Sequence, residues 1–189
     1  MRLGVFGGAF DPVHNGHLVL ACECRDQLSL DQVWLIPSGQ PPHKDADRLA
    51  PAKSRVDMLE LATAGDPGLV VSRIEIDREG TSFTVETLEE ISAAQPDSEL
   101  FLLLGADSVE DLRNWHRPER IAELATLVSV NRAERRGQHD VPCEDAVTVS
   151  MPGIDICSTD LRHRLTSGRS VRHLVPRAVE QYLLEHQVY

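Results

Sequence analysis

The chain has 189 residues, 41% of them hydrophobic, which suits one domain with a sizeable core. Thirty acidic side chains against 19 lysines and arginines give a formal net charge of −11. That argues against a nucleic-acid partner, whose backbone needs a broad basic surface. No apolar run approaches the roughly 18 residues of a bilayer span, and Gly7, Gly8 and Asp11 interrupt the apolar start, so neither a membrane segment nor a signal peptide is expected and a soluble, cytoplasmic protein is.

Leu3-Gly4-Val5-Phe6 predicts a first strand, and residues 16–28 carry a helical pattern. Between them stands Gly7-Gly8-Ala9-Phe10-Asp11-Pro12-Val13-His14-Asn15-Gly16-His17. A strand, a glycine turn and a helix bring backbone close to phosphate, because glycines remove side-chain bulk and the first N–H groups of a helix point outward. His14 and His17, three apart, share one face at that helix start and can donate hydrogen bonds to phosphate oxygens. Two other readings compete. The imidazoles could serve only as caps, or Asp11, His14 and His17 could hold a metal. The metal reading lacks the glutamate of a zinc motif and any further ligand pair, so no protein-held metal is expected.

Residues 33–36 form a second buried strand ended by Pro37, followed by the stiff loop Gln40-Pro41-Pro42-His43-Lys44. Lys44 and Lys53 are the only lysines beside 17 arginines, so Lys44 in that loop suits a ligand contact. Residues 52–64 predict a helix between Pro51 and Gly65. Residues 69–76 alternate as a strand, and residues 84–94 are an amphipathic helix. The unbroken apolar run 100–104 marks a central strand covered on both faces, ending in Gly105-Ala106-Asp107. A short helix around 109–112 leads to Trp115, Pro118 starts another helix, and residues 127–130 form a strand. Residues 132–145 lack periodicity and predict an exposed loop, although Arg132 directly follows a strand. Short strands at 147–151 and 154–156 precede helices at 159–166 and 177–186, bounded by Gly168 and Pro176.

This alternation predicts an α/β, Rossmann-like, doubly wound parallel sheet with helices on both faces, in a single domain spanning residues 1–189. Ligands in such sheets bind beyond the carboxyl ends of the strands. The glycine turn, Gly105–Asp107 and Cys157–Thr159 all follow strands, so one crevice can collect them. Cys22, Cys24, Cys143 and Cys157 form no Cys-x-x-Cys pair and predict reduced thiols.

The eleven-residue run after the first strand resembles the signature of the nucleotidyltransferase superfamily with an His-x-Gly-His motif. Further blocks resemble the bacterial nicotinate-nucleotide adenylyltransferases: Pro41-Pro42-His43-Lys44, residues 77–84 with Thr87-Leu88, Gly105-Ala106-Asp107 with Trp115, and Ser158-Thr159-x-x-Arg162. The resemblance runs from the first strand to Tyr189. It implies adenylyl transfer from ATP to nicotinate mononucleotide, giving deamido-NAD and pyrophosphate, with Mg²⁺ carried by the ATP phosphates. It also implies that Gly7, Gly8, Ala9, Phe10, His14, His17, Gly105, Asp107, Ser158, Thr159 and Arg162 bind ATP. His43, Lys44, Phe83, Thr84, Trp115 and Arg132 would bind the acceptor. Asp107 would meet the ribose, Trp115 the pyridine ring and Thr84 the nicotinate carboxylate.

The acceptor phosphate, with a second pKa of about 6, is already a dianion, so no general base is needed. The site must align two polyanions and neutralise the leaving pyrophosphate. His14, His17, Lys44 and Arg162 are the candidates. Structural alternatives are an N-cap role for Asp107, capping by Ser158 and Thr159, and a core position for Trp115; Trp34 is expected in the core. Ala9 stands where a hydroxyl residue is usual, Phe83 where Tyr is common and Cys157 where Ser is; none of these removes a charge. Competing functions are a nicotinamide-mononucleotide or pantetheine-phosphate adenylyltransferase and a non-catalytic nucleotide-binding module. A homo-oligomer is compatible with the sequence, and no nucleic-acid or membrane partner is expected.

Overall fold

The apolar run of residues 100–104 sits near the middle of a six-stranded sheet in the computed structural model. The structure describes residues 1–40, 49–132 and 146–189, without the side chains of Ala106, Asp107, Glu110, Asn131 and Arg132. The strands are β1 (Arg2–Gly8), β2 (Gln32–Pro37), β3 (Leu69–Val71), β4 (Glu99–Gly105), β5 (Thr126–Arg132) and β6 (Val147–Met151). Their order is β3-β2-β1-β4-β5-β6, and every pair is parallel. The expected doubly wound fold is therefore present.

A parallel sheet covered on both faces sends alternate residues into two cores. Phe101 and Leu103 join Phe6, Val33 and Val128 on one side, under α1 (Asn15–Gln27), α2 (Ala52–Thr63), α6 (Ser158–Thr166) and α7 (Arg177–His186). Leu100, Leu102 and Leu104 join Leu3, Val5 and Leu127 on the other, under α3 (Thr84–Ala94), α4 (Ala106–Asp111) and α5 (Pro118–Leu124). From β1 the chain winds out to β3, then returns to β4 on the other side of β1. The strand order reverses there, so the carboxyl ends of β1 and β4 frame the crevice.

Three expectations are corrected. The strand expected over 69–76 ends at Val71: Ser72 N–H still reaches the Leu35 carbonyl at 3.0 Å, but the chain then turns, with Asp77 N–H on the Arg73 carbonyl at 2.9 Å. That turn tucks Glu75 inward instead of alternating it outward along an edge strand. No strand forms at 154–156: β6 stops at Met151, before Pro152, which has no N–H to extend its pairing, and Ile154 and Ile156 pack half-buried against the core without joining the sheet. The helix expected at 109–112 begins earlier, at Ala106, and is followed by one 3₁₀ turn at Leu112–Asn114. Gly105 occupies its N-cap, so Asp107 lies inside the first turn and is not the cap. Trp34 is half-buried, at the margin of the second core.

Candidate active site

Gly8 lacks a Cβ where one would stand 3.3 Å from the Phe10 ring. Phe10 itself takes a φ of 49°, which folds its ring, 2% exposed, edge-on to Phe6 at 5.3 Å. Phe10 thus gives the crevice its backbone and the core its side chain. His14 is the N-cap of α1, and its N–H donates to His17 Nδ1 at 3.2 Å. With Nδ1 accepting, a neutral His17 carries its proton on Nε2. The two imidazoles stack at 3.7 Å, and Phe10 meets His17 edge-on at 5.0 Å. The cap engages His17 through Nδ1, so capping and ligand binding use different ring nitrogens.

Asp11 is 1% exposed, and its carboxylate serves protein groups: the Tyr189 hydroxyl donates at 2.7 Å and the Ala50 N–H at 3.1 Å, both to Oδ1. Among the described residues no group of three potential metal ligands comes together.

At the head of α6, the Cys157 sulfur accepts from Asp160 N–H at 3.4 Å and caps the helix, so the alternative of capping by Ser158 and Thr159 does not apply. Their hydroxyls are turned to other partners. Ser158 Oγ donates to the Pro12 carbonyl at 2.9 Å, Arg162 Nη2 donates to Thr159 Oγ1 at 3.2 Å, and Arg162 Nη1 donates to the Asp11 carbonyl at 2.7 Å. These bonds join α6 to the loop after β1. Between them opens a cavity of about 530 Å³ lined by Gly7, Gly8, Ala9, Phe10, His14, His17, Gly105, Ser158, Thr159 and Arg162. Asp107 is the one member of the expected ATP set whose side chain lies outside the described residues.

A second cavity of about 250 Å³ lies on the other side of the glycine turn and shares Gly7, Gly8, Ala9 and Ser108 with the first. Phe83, Thr84 and Trp115 line it, with Glu75, Ser82 and His116. Trp115 is half-buried, and the Phe83 ring stands 4.6 Å from His116. The Phe83 carbonyl accepts from the Glu86 and Thr87 N–H groups at 3.1 and 3.2 Å. That leaves the N–H groups of Thr84 and Val85, at the positive end of α3, directed out of the helix. His43 and Lys44 lie outside the described residues; Arg132 ends β5, with its side chain likewise outside the description.

Two buried groups of this site were not singled out from the sequence. Arg55, 2% exposed, donates to the Ala50 carbonyl at 3.1 Å, the Ala9 carbonyl at 3.1 Å and the Ser38 carbonyl at 2.8 Å, tying the glycine turn to the exit of β2. Burial lowers its pKa, with Asp11 opposing. Its signal was an arginine three and four residues before Met58 and Leu59, on the apolar face of α2. Glu75, 8% exposed, was hidden by the strand pattern assigned to its segment.

Residues 5–164 match the cytidylyltransferase-like family, and the chain belongs to it. Within that class it falls among the nicotinate-nucleotide adenylyltransferases: it is 46% identical, over the full length of both chains, to the "Probable nicotinate-nucleotide adenylyltransferase" of Thermus thermophilus. The protein of the same description from Geobacillus thermodenitrificans is 40% identical, over all of this chain and 86% of that one. In fold, the chain resembles the Plasmodium falciparum nicotinic acid mononucleotide adenylyltransferase complexed with NaAD. The TM-score is 0.84 at 14% identity, covering all of this chain and 97% of the other.

Proposed function

We propose that this chain transfers the adenylyl group of ATP to nicotinate mononucleotide, releasing pyrophosphate and giving deamido-NAD, a step of NAD biosynthesis. The observation that carries this reading is the pair of cavities meeting at Gly7, Gly8 and Ala9. A nucleotide in the larger one and an acceptor in the smaller one bring their phosphates together at the glycine turn, where backbone N–H groups can approach without side-chain bulk.

In this reading the acceptor phosphate attacks the α-phosphorus in line, and the pyrophosphate leaves toward the head of α6. His14 and His17 donate to phosphate oxygens there, the His17 proton standing on Nε2. Ser158, Thr159 and Arg162 hold the triphosphate, Asp107 the ribose, and Gly105 gives the adenosine room at the end of β4. Thr84 at the amino end of α3 receives the nicotinate carboxylate, and Phe83 and Trp115 flank the ring. His43 and Lys44, which follow β2 in the sequence, and Arg132, at the end of β5, complete the acceptor site. Enzymes of this kind use a divalent metal with ATP. Mg²⁺ carried by the ATP phosphates would supply positive charge against the leaving pyrophosphate. The reaction is placed in the cytoplasm, with residues 1–189 acting as one domain.

Pyrophosphate release with ATP and a panel of nicotinate mononucleotide, nicotinamide mononucleotide and phosphopantetheine tests the reading. The expected result is turnover with the nicotinate acceptor above the other two. Turnover with phosphopantetheine alone, or with none of the three, overturns it.

A further inference from the structure

Beneath the larger cavity four titratable groups meet from four parts of the chain: Asp11, Arg55, Arg162 and Tyr189. The Asp11 carboxylate is their centre. Tyr189 Oη donates to Oδ1 at 2.7 Å, and Arg162 Nη1 lies 3.5 Å from Oδ2 while donating to the Asp11 carbonyl at 2.7 Å. The charge of Asp11 is also felt at Arg55. Burial, followed by the hydrogen bond to Asp11, raises the Tyr189 pKa, so the phenol stays protonated and remains a donor.

A carboxylate beside a triphosphate site opposes ATP binding by like-charge repulsion. Its presence therefore needs a use other than affinity. Among the described residues the Arg162 guanidinium donates to Thr159 Oγ1 and to the Asp11 carbonyl, and the Asp11 carboxylate adds an opposite charge 3.5 Å from Nη1, through an Oδ2 that has no hydrogen bond of its own. The carboxylate rotamer, in turn, is held by the Tyr189 hydroxyl and the Ala50 N–H.

We propose that Tyr189 is a positioning residue of the triphosphate site: its hydroxyl orients the Asp11 carboxylate, which aims Arg162 at the leaving pyrophosphate. The proposal rests on the larger cavity being the ATP site. It separates aim from affinity. Loss of the Tyr189 hydroxyl leaves the charges in place but removes one of the two hydrogen bonds that hold Oδ1, so turnover falls further than the affinity for ATP. Loss of the Asp11 charge removes a repulsion as well as the aim.

The test is steady-state kinetics, with ATP varied at saturating mononucleotide and the reverse, on the wild type, Tyr189→Phe, Asp11→Asn and the double variant, with melting temperatures and calorimetric ATP binding alongside. Tyr189→Phe should lower kcat about tenfold, the scale of a hydrogen bond to a charged group, with both KM values within about twofold of wild type. Asp11→Asn should lower kcat at least as far while the KM for ATP stays level or falls. The double variant should be no worse than Asp11→Asn alone, because the hydroxyl acts through the carboxylate. Wild-type kcat in Tyr189→Phe overturns the proposal. So do losses that multiply in the double variant, or a rise of both KM values together with a fall in melting temperature. If the wild type binds ATP but turns over no mononucleotide, the proposed reaction fails. The positioning claim is then judged by ATP-binding enthalpy, which must change in Tyr189→Phe if Arg162 is displaced and refutes the claim if unchanged.

Discussion

Glu75 and Thr87 join the two walls of the smaller cavity: the Thr87 hydroxyl donates to Glu75 Oε1 at 2.8 Å. Burial raises the Glu75 pKa, while Thr87, Arg78 and the Gly39 N–H favour its ionised form and only partly offset that rise. A carboxyl whose folded pKa is raised contributes fully to stability below its unfolded value of about 4.3 and loses that contribution as pH rises through the folded value. Glu75→Gln stays neutral throughout. The melting temperature of Glu75→Gln relative to wild type should therefore become more favourable from about pH 4.5 to pH 7. A difference that is flat, or that moves the other way, contradicts the assigned shift.

His17 should matter more for turnover than for ATP binding, since its Nε2–H is preorganised for charge that develops during the reaction. His17→Ala should lower kcat by roughly 10²–10³, as removal of such a donor does elsewhere. A variant with near wild-type kcat would leave His17 as a helix cap alone.

The amino end of α3 offers N–H donors at Thr84 and Val85, which suits a carboxylate. An amide NH₂ against the same donors leaves polar hydrogens unpaired, at about 1–3 kcal/mol, and the helix dipole adds to the preference. Nicotinate mononucleotide should exceed nicotinamide mononucleotide by at least about 100-fold in kcat/KM. Trp115→Ala should weaken both acceptors and leave ATP binding largely unchanged. Equal efficiency with both acceptors means that the carboxylate is not read at α3.

Thiol labelling maps the larger cavity independently. Cys157 is exposed and lines that cavity, whereas burial pushes the Cys24 thiol up to about 12. Alkylation followed by peptide mass analysis should modify Cys157 well before Cys24, and ATP should slow the reaction at Cys157. Unaltered labelling of Cys157 at saturating ATP moves the nucleotide elsewhere.

The metal dependence follows from the same cavity. The Asp11 carboxylate is engaged by Tyr189, Ala50 and Arg162, so the purified protein should carry no stoichiometric zinc, and activity should need added Mg²⁺ because that ion binds mainly through substrate phosphates and water. One tightly bound zinc per chain, lost with His14→Ala or His17→Ala, reverses that expectation.

Local pattern revealed most of the sheet. The strand–turn–helix at Gly7–His17, the central run before Gly105 and the helix head at Ser158 are short-range signals, and each reached the crevice as expected. Periodicity failed at residues 72–76, where alternation came from a turn that buries Glu75, and at 154–156, where two isoleucines pack without pairing. Asp11 stood inside the motif, but its partners are distant in sequence: Tyr189 is 178 residues away and Arg162 is 151 away. Arg55 likewise acts through carbonyls of Ala9 and Ser38, 46 and 17 residues back. A hydrogen bond between distant segments has no periodicity to announce it.

The central place of β1 has a consequence for biogenesis. One edge of β1 pairs with β2, but the other waits for β4, whose Glu99 aligns with Arg2. Contacts so far apart in sequence close late and slow the folding of the chain. During translation, a nascent chain of residues 1–98 holds the whole glycine turn yet lacks the strand that completes its crevice. Its unpaired β1 edge is a template on which another unfinished copy can add.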